Sequence, residues 1–185
     1  MRWPAMNATA PLRLAAAYNR WANVQIFDAC ARLSDADYRR DLGAFFRSVH
    51  GTLNHLLLGD RLWLGRLQGS APAFTALDTE LHTDFAALRA ARAETDDAIC
   101  AAVEAIDGAA LSQMLHFTSL VTGRAMRLPR WVAWTQMFNH QIHHRGQVTA
   151  LLTRLGVDYG DIDLIWMPGA TDAAPSSRHQ EGGTA

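Results

Sequence analysis

PRWVAWTQMFNHQIHHRGQVTALLTRLG, residues 129–156, is the stretch that decides the fold. Pro129 stands where its missing N–H does no harm, at a helix start, and Gly156 suits the left-handed residue that ends one. The spacing between them predicts one long helix that continues through Leu155. At about 100° per residue, His140 and His144 lie about 40° apart around its axis. Met137, Gln147, Val148, Leu151 and Leu155 fall in roughly the same arc, so both imidazoles are expected to point inward, where an unpaired polar group is costly. A divalent metal is one partner that would satisfy them, because imidazoles four residues apart can converge on an ion at about 2.0–2.1 Å, as in helices of H-E-x-x-H type. Gln141 follows His140, so that hydrolytic motif is absent. A second apolar group on this helix, Trp131, Trp134, Phe138 and Ile142, points about 100° or more away. A helix apolar on two sides is either central or in contact with another subunit, and a homodimer is the expectation.

Working outward, Leu12 to Leu33 is rich in Ala and Leu and free of Gly and Pro, with Leu14, Tyr18, Trp21 and Ile26 near helical spacing. A largely polar stretch, Ser34 to Phe46, follows. Ser48 is a plausible N-cap for a second helix running to about Leu67. Turn residues gather at Gln68 to Pro72, and Asp78 or Thr79 could cap a third, charged and Ala-rich helix ending near Ile106. Between Leu111 and Leu128 the pattern alternates around Gly123, which suits a short hairpin or an extended crossover. Four amphipathic helices that cannot bury their apolar stripes alone are most simply satisfied by an all-α fold, a four-helix bundle with one long crossover connection. The expected organisation is an N-terminal extension (1–11), one helical domain (12–167) and a tail (168–185) too polar and too rich in small residues to pack.

Composition narrows the function classes. A chain of 185 residues, 49% of them apolar, holds one core of ordinary size. Lys and Arg total 17 against 18 Asp and Glu, so no excess of positive charge draws it to nucleic acid or anionic lipid. Cys30 and Cys100 lie far apart, no signal peptide is recognisable, and no window resembles a membrane span, so a cytoplasmic address is expected.

A third candidate ligand comes from the second helix. His50, Asn54, Arg61 and Gln68 mark its polar face, and His55 falls outside that face beside Gly59 and Leu62. A single inward histidine is usually a satisfied core residue, but three from two helices are hard to satisfy pairwise. Three histidines with an open fourth position make a catalytic type of site rather than a closed structural one. His143 is expected to flank the pocket, Gln147 to orient a ligand, and His50, His82, His116 and His179 to lie on the surface or in loops. Asp60 falls among Val49, Leu53, Leu64 and Leu67, and an ion pair to Arg20, Arg145 or another arginine is its expected partner.

These residues carry a resemblance. Ser48-Val49-His50-Gly51-Thr52-Leu53-Asn54-His55, Asp60-Arg61-Leu62-Trp63 and Asn139-His140 to His144-Arg145-Gly146-Gln147 resemble the DinB/YfiT-like family of metal-dependent enzymes. Tyr18 to Asn23 and Asp158 to Trp166 agree in place and character, so the resemblance spans Leu12 to Met167. It implies a four-helix bundle holding a zinc- or nickel-type divalent ion between His55, His140 and His144, usually in a homodimer. Similar proteins include thiol-dependent transferases and isomerases, so a low-molecular-weight thiol is a further cofactor candidate. Fold and site do not fix the substrate.

The function expected is therefore a metal-dependent enzyme that activates a thiol or water against a small-molecule substrate. The missing Glu beside the ligands favours the thiol, for whose carboxylates Arg61, Arg66 and Arg145 are the candidate anchors. The alternative is a non-catalytic metal- or ligand-binding helical dimer. A ferritin-like di-iron centre would need Glu-x-x-His pairs, and the chain contains none.

Overall fold

The computed structural model describes residues 9–171. Four long helices, α1 (Ala10–Cys30), α3 (Val49–Gln68), α4 (Phe85–Glu104) and α5 (Arg130–Arg154), are joined by a short α2 (Asp35–Arg39) and a hairpin of β1 (Met114–Thr118) and β2 (Ala125–Pro129). α1 packs on α4 and α5, and α3 packs on the same two, so the contacts close into a ring.

Local chemistry sets the helix ends. The Ser48 hydroxyl accepts from Gly51 N–H at 3.1 Å to begin α3, and Gly69, at φ 75°, ends it. Pro129 precedes α5 and Gly156 follows it in the left-handed region, as expected. The third long helix begins later than Asp78 or Thr79: Asp84 is its cap, accepting from Ala87 N–H at 2.8 Å. The intervening chain is engaged elsewhere, because the Asn54 side-chain oxygen accepts from Leu81 N–H at 2.9 Å and His82 N–H at 3.0 Å. The alternating segment is a hairpin, with Leu115 opposite Leu128 and Phe117 opposite Met126. The expected tail lies for its greater part outside the described residues, as does most of the N-terminal extension.

The interior is layered. One apolar cluster gathers Ile26, Phe27, Leu53, Leu57, Leu88, Val148 and Leu152. The other gathers Ala16, Leu64, Leu67, Ile99, Val103, Trp134 and Met137. The order in which each helix visits the two clusters makes α1 parallel to α5 and α3 parallel to α4. The chain between α3 and α4 must therefore travel back along α3, and residues 69–84 do so.

Between the two clusters lies a buried polar layer. Arg92 Nη1 is 2.7 Å from Asp60 Oδ2, and its Nη2 is 2.9 Å from Asp96 Oδ1. Asn19 and Asn23 donate to Asp96 at 3.1 and 3.0 Å. Arg145 donates to the carbonyl oxygens of Asn19, Asn23 and Gln141, with its guanidinium over the Tyr18 ring. Burial pushes the Asp60 and Asp96 carboxyls upward, and Arg92 opposes it. Asp60 thus finds an arginine, and the partner is Arg92 of α4. Two carboxylates and two guanidiniums balance, and all four long helices contribute.

Removing one member of a buried ion cluster strands its partners, at a cost of about 3–5 kcal/mol. Arg92→Met is expected to lose stability of that order in urea unfolding. Arg20→Ala, which breaks the exposed pair with Asp97, is expected to cost below about 1 kcal/mol.

Candidate metal centre

The residues of the candidate site neighbour those of the polar layer in sequence. Gly59 precedes Asp60, His140 precedes Gln141, and His144 precedes Arg145. A step of about 100° carries the chain from the interior layer to a face shared by α3 and α5. On that face His55, His140 and His144 meet, and one ring nitrogen from each lies within 4.8 Å of the others, a group that could hold a metal ion.

Each ring is held differently. His55 Nδ1–H donates to the Leu77 carbonyl at 2.8 Å, which leaves the Nε2 lone pair facing His140 Nε2 at 3.1 Å. His144 Nδ1–H donates to Gln147 Oε1 at 2.7 Å, while Gln147 Nε2 donates to His143 Nε2 at 3.3 Å. His144 therefore also offers Nε2, and Gln147 takes the orienting role expected of it. His140 is placed by packing: a methyl group on Gly59 would come within 2.6 Å of its Cε1, and its buried Nδ1 has no hydrogen-bond partner among the described residues.

This arrangement fits a cation better than a proton. A proton on His140 Nε2 could serve His55 alone, whereas one divalent ion would accept a lone pair from all three rings. The rings are also in the ligating, neutral form. Burial, with the neighbouring histidines adding to it, lowers the pKa of His140 to about 3. Burial lowers that of His144 to about 4 against the opposing bond to Gln147, and burial lowers that of His55 as well.

Two features that hold this geometry had no clear sequence signal. Phe46 stacks on the His55 ring at 3.9 Å between centroids and meets the His144 ring in an edge-type contact at 5.6 Å. Its loop can cross α3 because residue 51 is glycine, where a Cβ would lie 2.2 Å from the Phe46 carbonyl oxygen. The Leu77 carbonyl belongs to the segment returning along α3, which Asn54 fastens.

Several expectations are corrected. His50 is buried rather than on the surface, with Nε2 2.5 Å from Glu80, and Asn54 is buried with it rather than on a polar face. Arg61 donates to Thr95 on α4 at 3.2 Å, and Arg145 belongs to the interior layer. Of the three cationic anchors, Arg66 alone lines the cavity beside the histidines. His143 flanks that cavity. His82 lies in the loop before α4 and His116 is exposed on β1, in keeping with the expectation of surface or loop positions, and His179 is outside the described residues.

The cavity has a volume of about 610 Å³ and opens from the histidines between α3, α5 and the hairpin. Its walls are chiefly apolar, including Leu62, Trp63, Phe117, Leu128 and Val132. Among the described residues no Asp or Glu lines it.

Comparison with known proteins bears on the family and the fold. The DinB family matches over residues 6–180, and the chain belongs to that family. A crystal structure of a DinB-like protein from Bacillus cereus ATCC 10987 is similar at 18% identity with a TM-score of 0.59, covering 76% of this chain and 90% of that one. That likeness concerns the fold. None of the curated proteins matches.

The depressed histidine pKa values set a pH dependence. The unfolded rings accept protons near pH 6.5, while folded His140 and His144 do so near 3 and 4. Stability from these groups is thus present above about pH 6.5 and is lost as pH falls toward 4. The urea midpoint of metal-free protein is expected to be lower at pH 5 than at pH 7, with the gap narrowed in His140→Gln. An equal gap in the two proteins would contradict it.

Proposed function

We propose that this member of the DinB family is a metal-dependent enzyme that holds one divalent ion, zinc or nickel, between His55, His140 and His144 and activates a thiol or water toward a small molecule in the adjoining cavity. The observation that carries the proposal is the convergence of three neutral imidazoles, two with Nδ1–H already committed to an acceptor, on the lining of one chiefly apolar cavity. An ion held there would act as a Lewis acid and bring the pKa of a thiol or water bound to it toward 7. The protein's own residues do the remainder: Leu77 and Gln147 fix which nitrogen each ring presents, Phe46 covers the His55 ring from solvent, and the apolar walls position the substrate.

That no carboxylate is among the described lining residues favours the thiol. Water attack is helped by a general base, and no described carboxylate of the lining supplies one, whereas a thiol ionises with less assistance. A low-molecular-weight thiol is therefore the preferred co-substrate. We read the ring of four long helices as a four-helix bundle and expect a homodimer. Trp131 and Ile142, eleven residues apart on one face of α5, are each 53% exposed. Both cysteines are free thiols, which suits the cytoplasm. Among the described residues no helix is long and apolar enough to cross a membrane.

Elemental analysis of purified protein tests the proposal. Wild type is expected to carry close to one divalent ion per chain at a light-scattering mass of two chains. His140→Ala is expected to lose the ion. Gly59→Ala, which displaces the His140 ring while favouring helix, is expected to stay folded with reduced metal. Folded wild type that is metal-free and cannot be reloaded with zinc or nickel would refute the metal site, leaving a helical binding module.

A further inference from the structure

We infer that the cavity beside the three histidines receives an elongated, largely apolar acid, and that Arg66 holds its carboxylate at the end remote from the histidines. The inference rests on reading that cavity as a substrate site.

His55, Gly59, Leu62 and Arg66 follow one another at helical spacing on α3, and all four line the cavity. Eleven residues separate the first from the last, so their backbones stand about 16 Å apart along the helix. The floor of the cavity is therefore a stripe with the candidate metal ligands at one end and a cation at the other. Between and above them the surfaces are apolar. The rim is apolar too, with Phe45 83% and Val121 73% exposed.

Among the described lining residues, Arg66 is the one that carries a formal charge. Its guanidinium lies over the rings of Trp63 and Phe117, 4.9 and 4.4 Å from their centroids. Nη2 donates to the Thr118 carbonyl at 3.1 Å. No carboxylate among the described residues lies within ion-pair distance of it, and burial lowers its pKa. A guanidinium has five N–H donors in a planar fork, and a bond to one carbonyl leaves most of them for a ligand. The aromatic contacts restrict the side chain beforehand, which reduces what a ligand must order.

The chemistry selects the anion. A carboxylate matches one planar fork and one positive charge. A phosphate dianion would leave a second negative charge facing apolar walls. Fastening the hairpin to α3 explains the bond to Thr118, but any donor could make that bond, and it does not call for a charge within an apolar wall.

Calorimetric titration with octanoate and with 1-octanol, which share a chain and differ in charge, tests the inference. Wild type is expected to bind octanoate on the order of tenfold more tightly than the alcohol, as a charge-assisted hydrogen bond would give. Arg66→Gln keeps a donor for Thr118 and is expected to abolish the preference by weakening octanoate alone. His140→Ala is expected to retain it. Should Arg66→Gln fail to fold, Arg66→Lys, which loses the fork, is expected to weaken octanoate several-fold and leave octanol unchanged. Equal binding of acid and alcohol to wild type, or a preference that survives in Arg66→Gln or is undiminished in Arg66→Lys, would overturn the inference. A preference lost in His140→Ala but kept in Arg66→Gln would move the carboxylate to the metal centre, overturning the role of Arg66 and supporting the metal reading. Metal-free wild type that still shows the preference would separate the two in the other direction.

Discussion

The buried layer of Asp60, Arg92, Asp96 and Arg145 is the constraint on which the rest of the molecule depends. Each charge is almost wholly removed from water, so each needs its partners at close range, and those partners stand on four different helices. Such a cluster adds little net stability over an apolar equivalent, but it penalises any sliding or rotation of one helix against another. Gly59, His140 and His144 each sit one residue from a member of this layer, and so inherit its register. The same interactions that fix the helices fix the azimuth of the candidate site.

From that fixed frame the chemistry of the site follows. Gly59 lets α5 approach closely enough for His140 to reach His55. The parallel arrangement of α3 and α4 obliges residues 69–84 to return along α3, which brings the Leu77 carbonyl to His55. Burial keeps the imidazoles neutral, the form in which they can donate lone pairs. The cavity that opens from them is chiefly apolar, and among its described lining residues there is no carboxylate and one cation, Arg66. That combination is suited to a charge-tagged, otherwise apolar substrate and to a nucleophile that needs no carboxylate base.

What was legible in the sequence was what periodicity and local chemistry govern. The Ser48 cap, the hairpin around Gly123, the extent of the helix from Pro129 to Gly156 and the shared face of His140 and His144 follow from spacing within single elements, whereas the place of His55 beside them was expected from two helices read together and from the family resemblance. The return segment was not legible, because its path depends on helix direction, and the start of α4 was misplaced for the same reason. His50 and Asn54 looked like a polar face because nothing in α3 itself shows that residues 80 to 82 cover them. The charged layer did leave a trace: Asn19 and Asn23, Arg92 and Asp96, and Gln141 and Arg145 are each polar pairs four residues apart within apolar helices. Read together, three such pairs and Asp60 point to one shared interior layer, whereas read singly they pass for solvent-facing positions.

X-ray absorption at the metal edge of zinc-loaded protein would read the ligands of the site themselves. Three imidazole nitrogens at about 2.0–2.1 Å are expected, with the remaining position filled by a light atom or an added thiol sulfur. A shell of oxygen ligands without imidazole scattering, or one dominated by protein sulfur, would contradict the three-histidine site.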